Sequence, residues 1–355
     1  MDILGISKFH RAKQPRERKF TNNAIVLMYH RIGEPGLDPW SLCVTPKHFQ
    51  QHLEILQNHT HPMGLRQLTQ SHTDGRIPQR AVAITFDDGY ADNLYNAKPL
   101  LESYSTPATV FVTTCHINSQ REFWWDELEH LLLRPGNLPE KLTLVIEGNT
   151  HTWKLGAAAN YSEEQYQKDC DSKSWETQAG SRLCFYYSIW QTLRFLPYTV
   201  QNKALETIKA WTGNQRELRS THRSLSSQEL RVLGKSQLVE IGSHTVTHSL
   251  LSTQSQNSQL KEIQQSKTYL EKLLNYPVTS FAYPYGNYIP QTISLMQQAG
   301  LERACTTNEG MVWKYSDCFQ LPRFHVHNWN GEEFVQQLSR WLKILEYSDS
   351  KYSYA

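Results

Sequence analysis

Two adjacent carboxylates stand where an apolar segment ends. Residues 85–90 read TFDDGY and follow the apolar residues 81–84, which places Asp87 and Asp88 where a buried strand meets a loop. Neighbouring like charges in a buried position raise the pKa of one of them unless a cation or a hydrogen-bond donor compensates. The pair therefore predicts a metal site that also contains a general base.

Two imidazoles occupy a matching position later in the chain. Residues 243–248 read SHTVTH and end a second apolar run, 238–241. His244 and His248 are four residues apart, a spacing that one helical turn brings to one face. Alone, such a pair is more often a surface or core feature, and an Asp-Asp-Gly is usually a turn. Together, two histidines and one carboxylate suit a catalytic divalent metal such as zinc, with the second aspartate as general base.

The elements that must position these motifs alternate along the chain. Short apolar runs rich in β-branched and aromatic residues separate stretches of helical length, a pattern typical of βα units around a parallel sheet. Helices are predicted at 46–57 after the Thr45 cap, at 258–274 and at 331–345. Functional groups of such sheets collect at the carboxyl ends of the strands, where both motifs fall. The seven predicted strands are 24–29, 81–86, 108–113, 238–243, 280–283, 303–307 and 321–327.

The alternation is interrupted between residues 115 and 235. This aromatic-rich stretch is predicted to be mostly helical, with a hairpin of 142–147 and 150–155 around Gly148-Asn149. We interpret it as an insertion between the third and fourth strands that covers the site, and not as a free domain. The expected organisation is a flexible arm at 1–23, one barrel domain at 24–346 that includes the insertion, and a tail at 347–355.

Composition indicates which classes of partner and which cellular location to expect. The 355 residues include 36 basic and 34 acidic side chains, so nothing indicates binding to nucleic acid. No secretory apolar core and no segment of about 20 apolar residues is present, which predicts no transmembrane segment and a cytosolic protein. Six scattered cysteines without a Cys-x-x-Cys motif predict reduced thiols.

Three segments in combination resemble the motifs of the polysaccharide deacetylases, carbohydrate esterase family 4, which share the nodulation-type deacetylase homology domain. The segments are TFDDG at 85–89, SHTVTH at 243–248 and FAYPYG at 281–286. The resemblance covers about residues 24–329 outside the insertion. It implies a distorted (β/α)7 barrel, which agrees with the seven predicted strands.

The resemblance also implies roles for individual residues. Asp87 would be the catalytic base, and Asp88, His244 and His248 would hold the divalent metal, with Zn²⁺ as the first choice. A backbone N–H near Tyr285 would help to hold the oxyanion. Tyr283 and Tyr285 flank Pro284 beside the expected site.

The chain departs from the family pattern at two places. Many members carry, two residues before the proline of the third motif, an arginine that orients the basic aspartate, but this chain has Ala282 there. Arg323, from another strand, is a candidate replacement. The last family motif contributes a histidine as general acid, and the alternation of RFHVH places Arg323, His325 and His327 on one face. His327, nearest the carboxyl end, is the expected acid, and a solvated loop histidine is the alternative.

Three further residues have open interpretations. His30 closes the first strand and either lines the mouth of the site or is a hydrogen-bonded structural histidine. Trp124 and Trp125 either stack on sugar rings or pack within the insertion, and the packing role is favoured.

The resemblance, together with the predicted metal and base, implies a metal-dependent N-deacetylase acting on an acetamido sugar, and the composition places it in the cytosol. A cytosolic location favours a lipid-linked or nucleotide-linked glycan precursor as the substrate. One alternative is an amide or imide hydrolase acting on a non-sugar metabolite. The other is a non-catalytic glycan-binding module with a relic site, an interpretation that Ala282 encourages.

Overall fold

A computed structural model describes residues 23–351 apart from 35, 120 and 214–217, with the backbone alone for 343–351. Residues 1–22 of the predicted arm and 352–355 of the predicted tail lie outside the described residues. Asn23, the last residue of the predicted arm, is buried. The last helix continues to Lys351, so it includes residues 347–351 of the predicted tail.

The described part of the chain forms strands of two to six residues. They are β1 (Ala24–Tyr29), β2 (Arg31–Ile32), β3 (Cys43–Val44), β4 (His61–Pro62), β5 (Ala81–Phe86), β6 (Ala108–Val112), β7 (Gly136–Asn137), β8 (Lys141–Ile146), β9 (Asn149–Lys154), β10 (Asn160–Tyr161), β11 (Val239–Ser243), β12 (Ser280–Ala282), β13 (Arg303–Cys305) and β14 (Phe324–His325).

Eight of these strands form one parallel sheet that curls into a partial barrel. Its order is β13-β12-β11-β6-β5-β1-β14, and β4 pairs with the amino-terminal end of β5. A single parallel bridge from Cys305 to Leu321 extends the β13 edge towards the segment that leads into β14. All seven predicted strands are confirmed, most of them with shorter bounds. The eighth, β4, was not predicted, because two residues carry no periodicity.

Alternate residues of the strands face two different cores. In β1, Ile25 and Leu27 belong to the core between the sheet and the helices, whereas Ala24 and Val26 face the barrel interior. Burial on both faces explains why these parallel strands read as nearly continuous apolar runs. The interior row of β5 passes through Ala81 and Ala83 to Thr85 and then to Asp87. The first catalytic candidate thus continues a row of side chains that points into the barrel.

Helices cover the outside of the sheet and form much of the insertion. Thr45 caps the first of them by accepting a hydrogen bond from the amide of His48, as predicted. Ser255 caps the ninth, which begins two residues before the predicted start. The helices are α1 (Pro46–His59), α2 (Leu65–Thr73), α3 (Lys98–Ser103), α4 (Trp124–Leu132), α5 (Glu163–Cys170), α6 (Arg182–Leu193), α7 (Tyr198–Thr212), α8 (Ser227–Gly234), α9 (Gln256–Leu274), α10 (Pro290–Gln298) and α11 (Gly331–Lys351).

The insertion has its own apolar cluster, built mainly by α4, α6, α7 and β8. Tyr90 of the barrel is a member of this cluster, and Trp40 and Tyr285 pack against it. The predicted hairpin is present as β8 and β9, but its turn is Glu147-Gly148, one residue earlier than predicted. Both turn residues have positive φ, 49° and 84°, as a two-residue hairpin turn that follows the twist of its strands requires.

The structure bears on two expectations from composition, the membrane-spanning helices and the state of the cysteines. Within the described ranges, no helix combines the length and apolarity that crossing a bilayer requires. All six cysteines are free thiols.

Candidate metal and catalytic site

Asp87 is held by an arginine that reaches it across the barrel interior. The Arg323 Nη1 and Nη2 atoms donate to the two carboxylate oxygens of Asp87, each at 2.7 Å. Arg323 also donates from Nε to the Thr306 carbonyl at 2.8 Å and from Nη1 to the Thr85 hydroxyl at 3.0 Å. The guanidinium is wholly buried and serves Asp87, so it is a positioning group and not a substrate contact. Ala282, where the resemblance would place an arginine, is also buried in the barrel interior.

The strand pairing explains how Arg323 reaches Asp87. Phe324 of β14 lies opposite Leu27 of β1, and Leu27 lies opposite Ile84 of β5. Arg323 therefore stands two strands away from Asp87, on the face that points into the barrel, and its long side chain spans that separation. Burial raises the pKa of Asp87, but the charge and hydrogen bonds of Arg323 outweigh burial and hold the pKa below its usual value. Asp87 is thus an ionised carboxylate with fixed orientation.

Asp88, His244 and His248 converge at the carboxyl ends of β5 and β11. The Asp88 Oδ1 atom lies 3.5 Å from His244 Nε2 and 3.2 Å from His248 Nε2. All three side chains are buried, and one ligand atom from each falls within 4.8 Å of the others. Among the described residues this is the one cluster of three or more His, Cys, Asp or Glu side chains with that geometry.

The donor atoms of this cluster fit a divalent metal. His244 Nδ1 lies 2.7 Å from the Ala282 carbonyl oxygen, which can only accept, so Nδ1 carries the proton and Nε2 presents a lone pair. This lone pair faces Asp88 Oδ1, a buried oxygen without a hydrogen-bond partner among the described residues, so a proton or a cation between the two atoms is favoured. A tetrahedral zinc centre with bonds of about 2.0–2.2 Å separates neighbouring ligand atoms by roughly 3.3–3.6 Å. Both measured separations lie near that range.

The electrostatic setting agrees with metal ligation. Burial lowers the pKa of His244 to about 4 and that of His248 to about 3. Both imidazoles are therefore neutral at neutral pH, which is the form that binds metal. Burial raises the pKa of Asp88, against the lowering effect of the nearby histidines. A bound cation would compensate the cost of ionising this carboxylate.

The loop that carries the two histidines is tied to helix α9. The Glu262 carboxylate accepts hydrogen bonds from the amides of Val246 and Thr247 and from the Thr247 hydroxyl, each at 2.9 Å. The Thr245 hydroxyl accepts from the His248 amide at 2.9 Å. The role of Glu262 was not predicted, because a glutamate among the polar residues of α9 has no distinguishing motif.

Four residues at the edge of this site have left-handed backbone conformations. The φ angles are 74° at Asp88, 66° at Thr245, 57° at His248 and 57° at Tyr285. A β-branched or aromatic residue rarely adopts this region, and each such residue costs about 1–3 kcal/mol. Their concentration around the converging side chains indicates that the surrounding structure imposes these conformations.

Three histidines form a row near Asp87. The rings of His30 and His325 are 5.3 Å apart, and those of His325 and His327 are 4.4 Å apart. Burial lowers the pKa of all three. The charges of Asp87 and Arg323 act on the pKa of His325, whereas His327 has Lys173 as its charged neighbour. His325 therefore lies nearer to Asp87 than His327, the residue that the sequence favoured as the acid.

The third motif forms a tight turn beside the candidate metal ligands. Tyr283 is fully buried and donates its hydroxyl proton to the Phe319 carbonyl at 2.9 Å, so it is a core residue. Its amide and those of Gly286 and Asn287 are bonded to backbone carbonyls. Among these residues of the turn, the Tyr285 N–H remains the candidate oxyanion donor.

The two tryptophans of α4 are buried, and one of them packs against His248. Trp124 and Trp125 are 3% and 5% exposed and belong to the apolar cluster of the insertion. The Trp125 ring lies 4.7 Å from that of His248, and its indole N–H donates to the Tyr90 hydroxyl at 2.9 Å.

Known proteins share this sequence pattern. The family model for polysaccharide deacetylase matches residues 74–182 and 196–304, more than half of the chain. The protein YxkH of Bacillus subtilis is 31% identical over 112 residues, which are 30% of this chain and 37% of that protein. A poly-beta-1,6-N-acetyl-D-glucosamine N-deacetylase of Staphylococcus epidermidis is 23% identical over 331 residues, 89% of this chain and 83% of the relative.

Solved structures share the fold. The Streptococcus pyogenes deacetylase PplD, in complex with acetate, is 19% identical with a TM-score of 0.51, over 89% of this chain and 98% of that one. IcaB from Ammonifex degensii is 16% identical with a TM-score of 0.53, over 91% and 97% of the two chains. These likenesses bear out the distorted barrel expected from the sequence. Together with the family match, they establish that the chain belongs to the polysaccharide deacetylase family of carbohydrate deacetylases.

Proposed function

We propose that this protein is a metal-dependent hydrolase that removes the N-acetyl group from an acetamido sugar of a glycan. The observation that carries the proposal is that Asp87, fixed by Arg323, directly precedes a member of the convergent set of candidate metal ligands. That set is Asp88, His244 and His248. Such a combination provides a base and a Lewis acid at one place, which amide hydrolysis requires.

Each group at the site has a separate role in the proposed hydrolysis. A divalent metal, with zinc as the first choice, would polarise the acetyl carbonyl and lower the pKa of water. Asp87 accepts the proton from the attacking water, and the Tyr285 N–H donates to the oxygen that becomes anionic. A histidine from the row of His30, His325 and His327 returns a proton to the amine as the C–N bond breaks. The products are acetate and a free amino sugar.

The substrate proposal follows the curated relatives. The Staphylococcus epidermidis relative is named for poly-beta-1,6-N-acetyl-D-glucosamine, so β-1,6-linked N-acetylglucosamine oligomers are the first substrates to test. Lipid-linked and nucleotide-linked acetamido sugars are added because a cytosolic location, which we also propose, would give access to such precursors.

Acetate release by the zinc-loaded protein tests the function. We expect acetate from at least one acetamido sugar, and a loss of about 10²–10⁴ in kcat with Asp87→Asn. If no sugar releases acetate while a cyclic amide or imide is opened, the protein is a hydrolase of a non-sugar metabolite. If neither class is turned over but oligomers bind, it is a glycan-binding module.

A further inference from the structure

A continuous row of aromatic rings leads away from the metal ligands. Its inner end is Tyr285, whose ring lies 4.7 Å from that of His248 and 6.1 Å from that of Trp190. Trp190 in turn lies 4.0 Å from Trp40, and Trp40 lies 6.1 Å from Trp175. We name this row the aromatic wall, and its members are Trp40, Trp175, Tyr187, Trp190 and Tyr285.

The aromatic wall ends in solvent. Trp175 is 45% exposed, and Trp40, Tyr187 and Tyr285 are half-buried. The buried member, Trp190, joins the others from below, with its ring nearly parallel to that of Tyr187 at 6.4 Å. The packing of the insertion accounts for the buried faces of these rings. It does not account for the ring surface that remains exposed to solvent.

The outer end of the aromatic wall lies near the row formed by His30, His325 and His327. The Ser174 amide and hydroxyl both donate to the Pro39 carbonyl, at 2.9 and 2.7 Å, which ties the segment of Trp175 to the loop of Trp40. Lys173, in the same segment, is the charged neighbour of His327. The aromatic wall therefore extends from Tyr285, beside His248, to the segment that neighbours the histidine row.

Two cationic side chains contact rings of the aromatic wall. The Lys173 ammonium lies 5.6 Å from the centre of the Trp175 ring, and the Arg194 guanidinium lies 5.0 Å from that of Trp190. The buried Nε–H of Arg194 has no hydrogen-bond acceptor within the described part of the chain. Aromatic faces match the apolar faces of pyranose rings, and fixed N–H donors match their hydroxyl and acetamido oxygens. An acyl chain, by contrast, would meet these cations without an acceptor.

We infer that the aromatic wall is a substrate subsite that stacks on the sugar rings next to the one being deacetylated. This inference rests on the proposed function and adds a preference for oligomers over single sugars. Trp175, Tyr187 and Trp190 all belong to the insertion, so the insertion sets the length of glycan that the enzyme favours. The barrel alone provides the chemistry.

Substitution of the solvent-accessible rings Trp175 and Tyr187 tests the subsite. For a β-1,6-linked N-acetylglucosamine pentamer, Trp175→Ala and Tyr187→Ala should each lower kcat/KM about three- to tenfold through KM, the size typical of one aromatic contact. Activity on N-acetylglucosamine itself should stay as in the wild type, and Trp175→Phe should restore most of the loss. The matched control is Tyr315→Ala, because Tyr315 is 69% exposed and follows the bridge from Ala24 to Val312 at the other end of the barrel.

Direct binding separates failure of the subsite from failure of the proposed function. Calorimetry with the Asp87→Asn protein should show pentamer binding that Trp175→Ala weakens by the same factor and Tyr315→Ala does not. That result supports the subsite even if the wild type releases no acetate. Pentamer kinetics and affinity unchanged by Trp175→Ala and Tyr187→Ala would overturn it, whether or not the protein deacetylates sugars. Absence of any pentamer binding would overturn it as well.

Discussion

Arg323 and Asp87 form a two-point ion pair between residues 236 positions apart, with both N–H···O distances at 2.7 Å. The pair lies in the barrel interior, where few other groups can compensate a carboxylate. Two parallel hydrogen bonds fix the plane of the carboxylate as well as its charge. Arg323 thus performs, from the last strand, the task that the family pattern gives to the position of Ala282.

Arg323→Lys should therefore impair catalysis more than metal binding. Lysine keeps the charge but cannot form the two-point contact, so Asp87 loses its fixed orientation. We expect kcat to fall by about 10²-fold or more, with zinc content near that of the wild type. Acetate-release kinetics and elemental analysis of the same sample check this. Equal losses of zinc and activity would contradict the positioning role.

Removal of any one metal ligand should empty the site. Asp88→Ala, His244→Ala and His248→Ala should each reduce bound zinc from about one per chain to a small fraction, whereas Asp87→Asn should retain it. Circular dichroism controls for the fold. The ligand assignment fails if the three alanine variants hold as much metal as the wild type. Chelation of the wild type should abolish acetate release, and added zinc should restore it.

Glu262 should tune metal affinity through the loop that it holds. Glu262→Ala leaves two loop amides and the Thr247 hydroxyl without their partner, and we expect zinc affinity to fall about 10–100-fold. Glu262→Gln should retain most of the affinity, because its oxygen can accept both amides while its NH₂ donates to the hydroxyl. Competition with a chromogenic chelator measures the effect.

The control for Glu262 lies on the same helix. Glu271 accepts a hydrogen bond from the Val278 amide at 3.0 Å and pairs with Lys267. Glu271→Ala should affect stability without changing zinc affinity. A similar loss of affinity in both alanine variants would show a general effect of α9 rather than a specific one.

The surroundings of the histidine row shift the proposed acid from His327 to His325. His325 follows Arg323 on the inward face of the last strand, and its ring contacts that of His30, so His325→Ala should lower kcat more than His327→Ala, by about 10²–10⁴. Zinc content should not change. The pH dependence of kcat and KM for both variants is the measurement. A larger kcat defect in His327→Ala would return the role to that residue.

Asp126 should make folding stability decrease as pH rises. Burial raises its pKa from the usual 3.8 to about 7, despite the opposing charge of Arg31 and the hydrogen bond from Tyr90. Between these two pH values the folded protein binds more protons than the unfolded chain, so the free energy of unfolding falls with pH. The shift corresponds to roughly 4 kcal/mol.

Asp126→Asn removes this titration. Relative to the wild type, its free energy of unfolding should increase between pH 4 and pH 7 and stay level above. Urea denaturation at pH 4, 5.5 and 7.5 gives the comparison. A difference that is constant over this range would show that Asp126 does not titrate as described.

Local sequence pattern was enough for most of the barrel. Buried parallel strands such as β1 and β5 are long apolar runs, so they are visible without tertiary information. The Asp87-Asp88 and His244–His248 motifs follow directly from such strands, and the structure brings Asp88 and the two histidines together. Period-two alternation also placed Arg323 and His325 on one face. Strand β4 and the position of the β8–β9 turn depend on pairing, which local pattern does not contain.

Contacts between distant segments account for what the sequence did not predict. Glu262 matters only because α9 packs beside the histidine loop. Trp124 and Trp175 are both tryptophans of the insertion, yet one is 3% exposed and the other 45%. Composition cannot distinguish them, so the sequence indicated sugar stacking at Trp124 and Trp125 only as the alternative to a favoured packing role, and it did not single out Trp175.

The pairing of β14 with β1 determines the order in which the enzyme can mature. During synthesis, Asp87, Asp88 and both histidine ligands leave the ribosome long before Arg323. A nascent chain can therefore gather the metal-binding side chains while its base still lacks the arginine that orients it. Under the proposed mechanism, hydrolysis requires the final strand to dock beside the first, so an incomplete chain would have the metal-binding set without an oriented base.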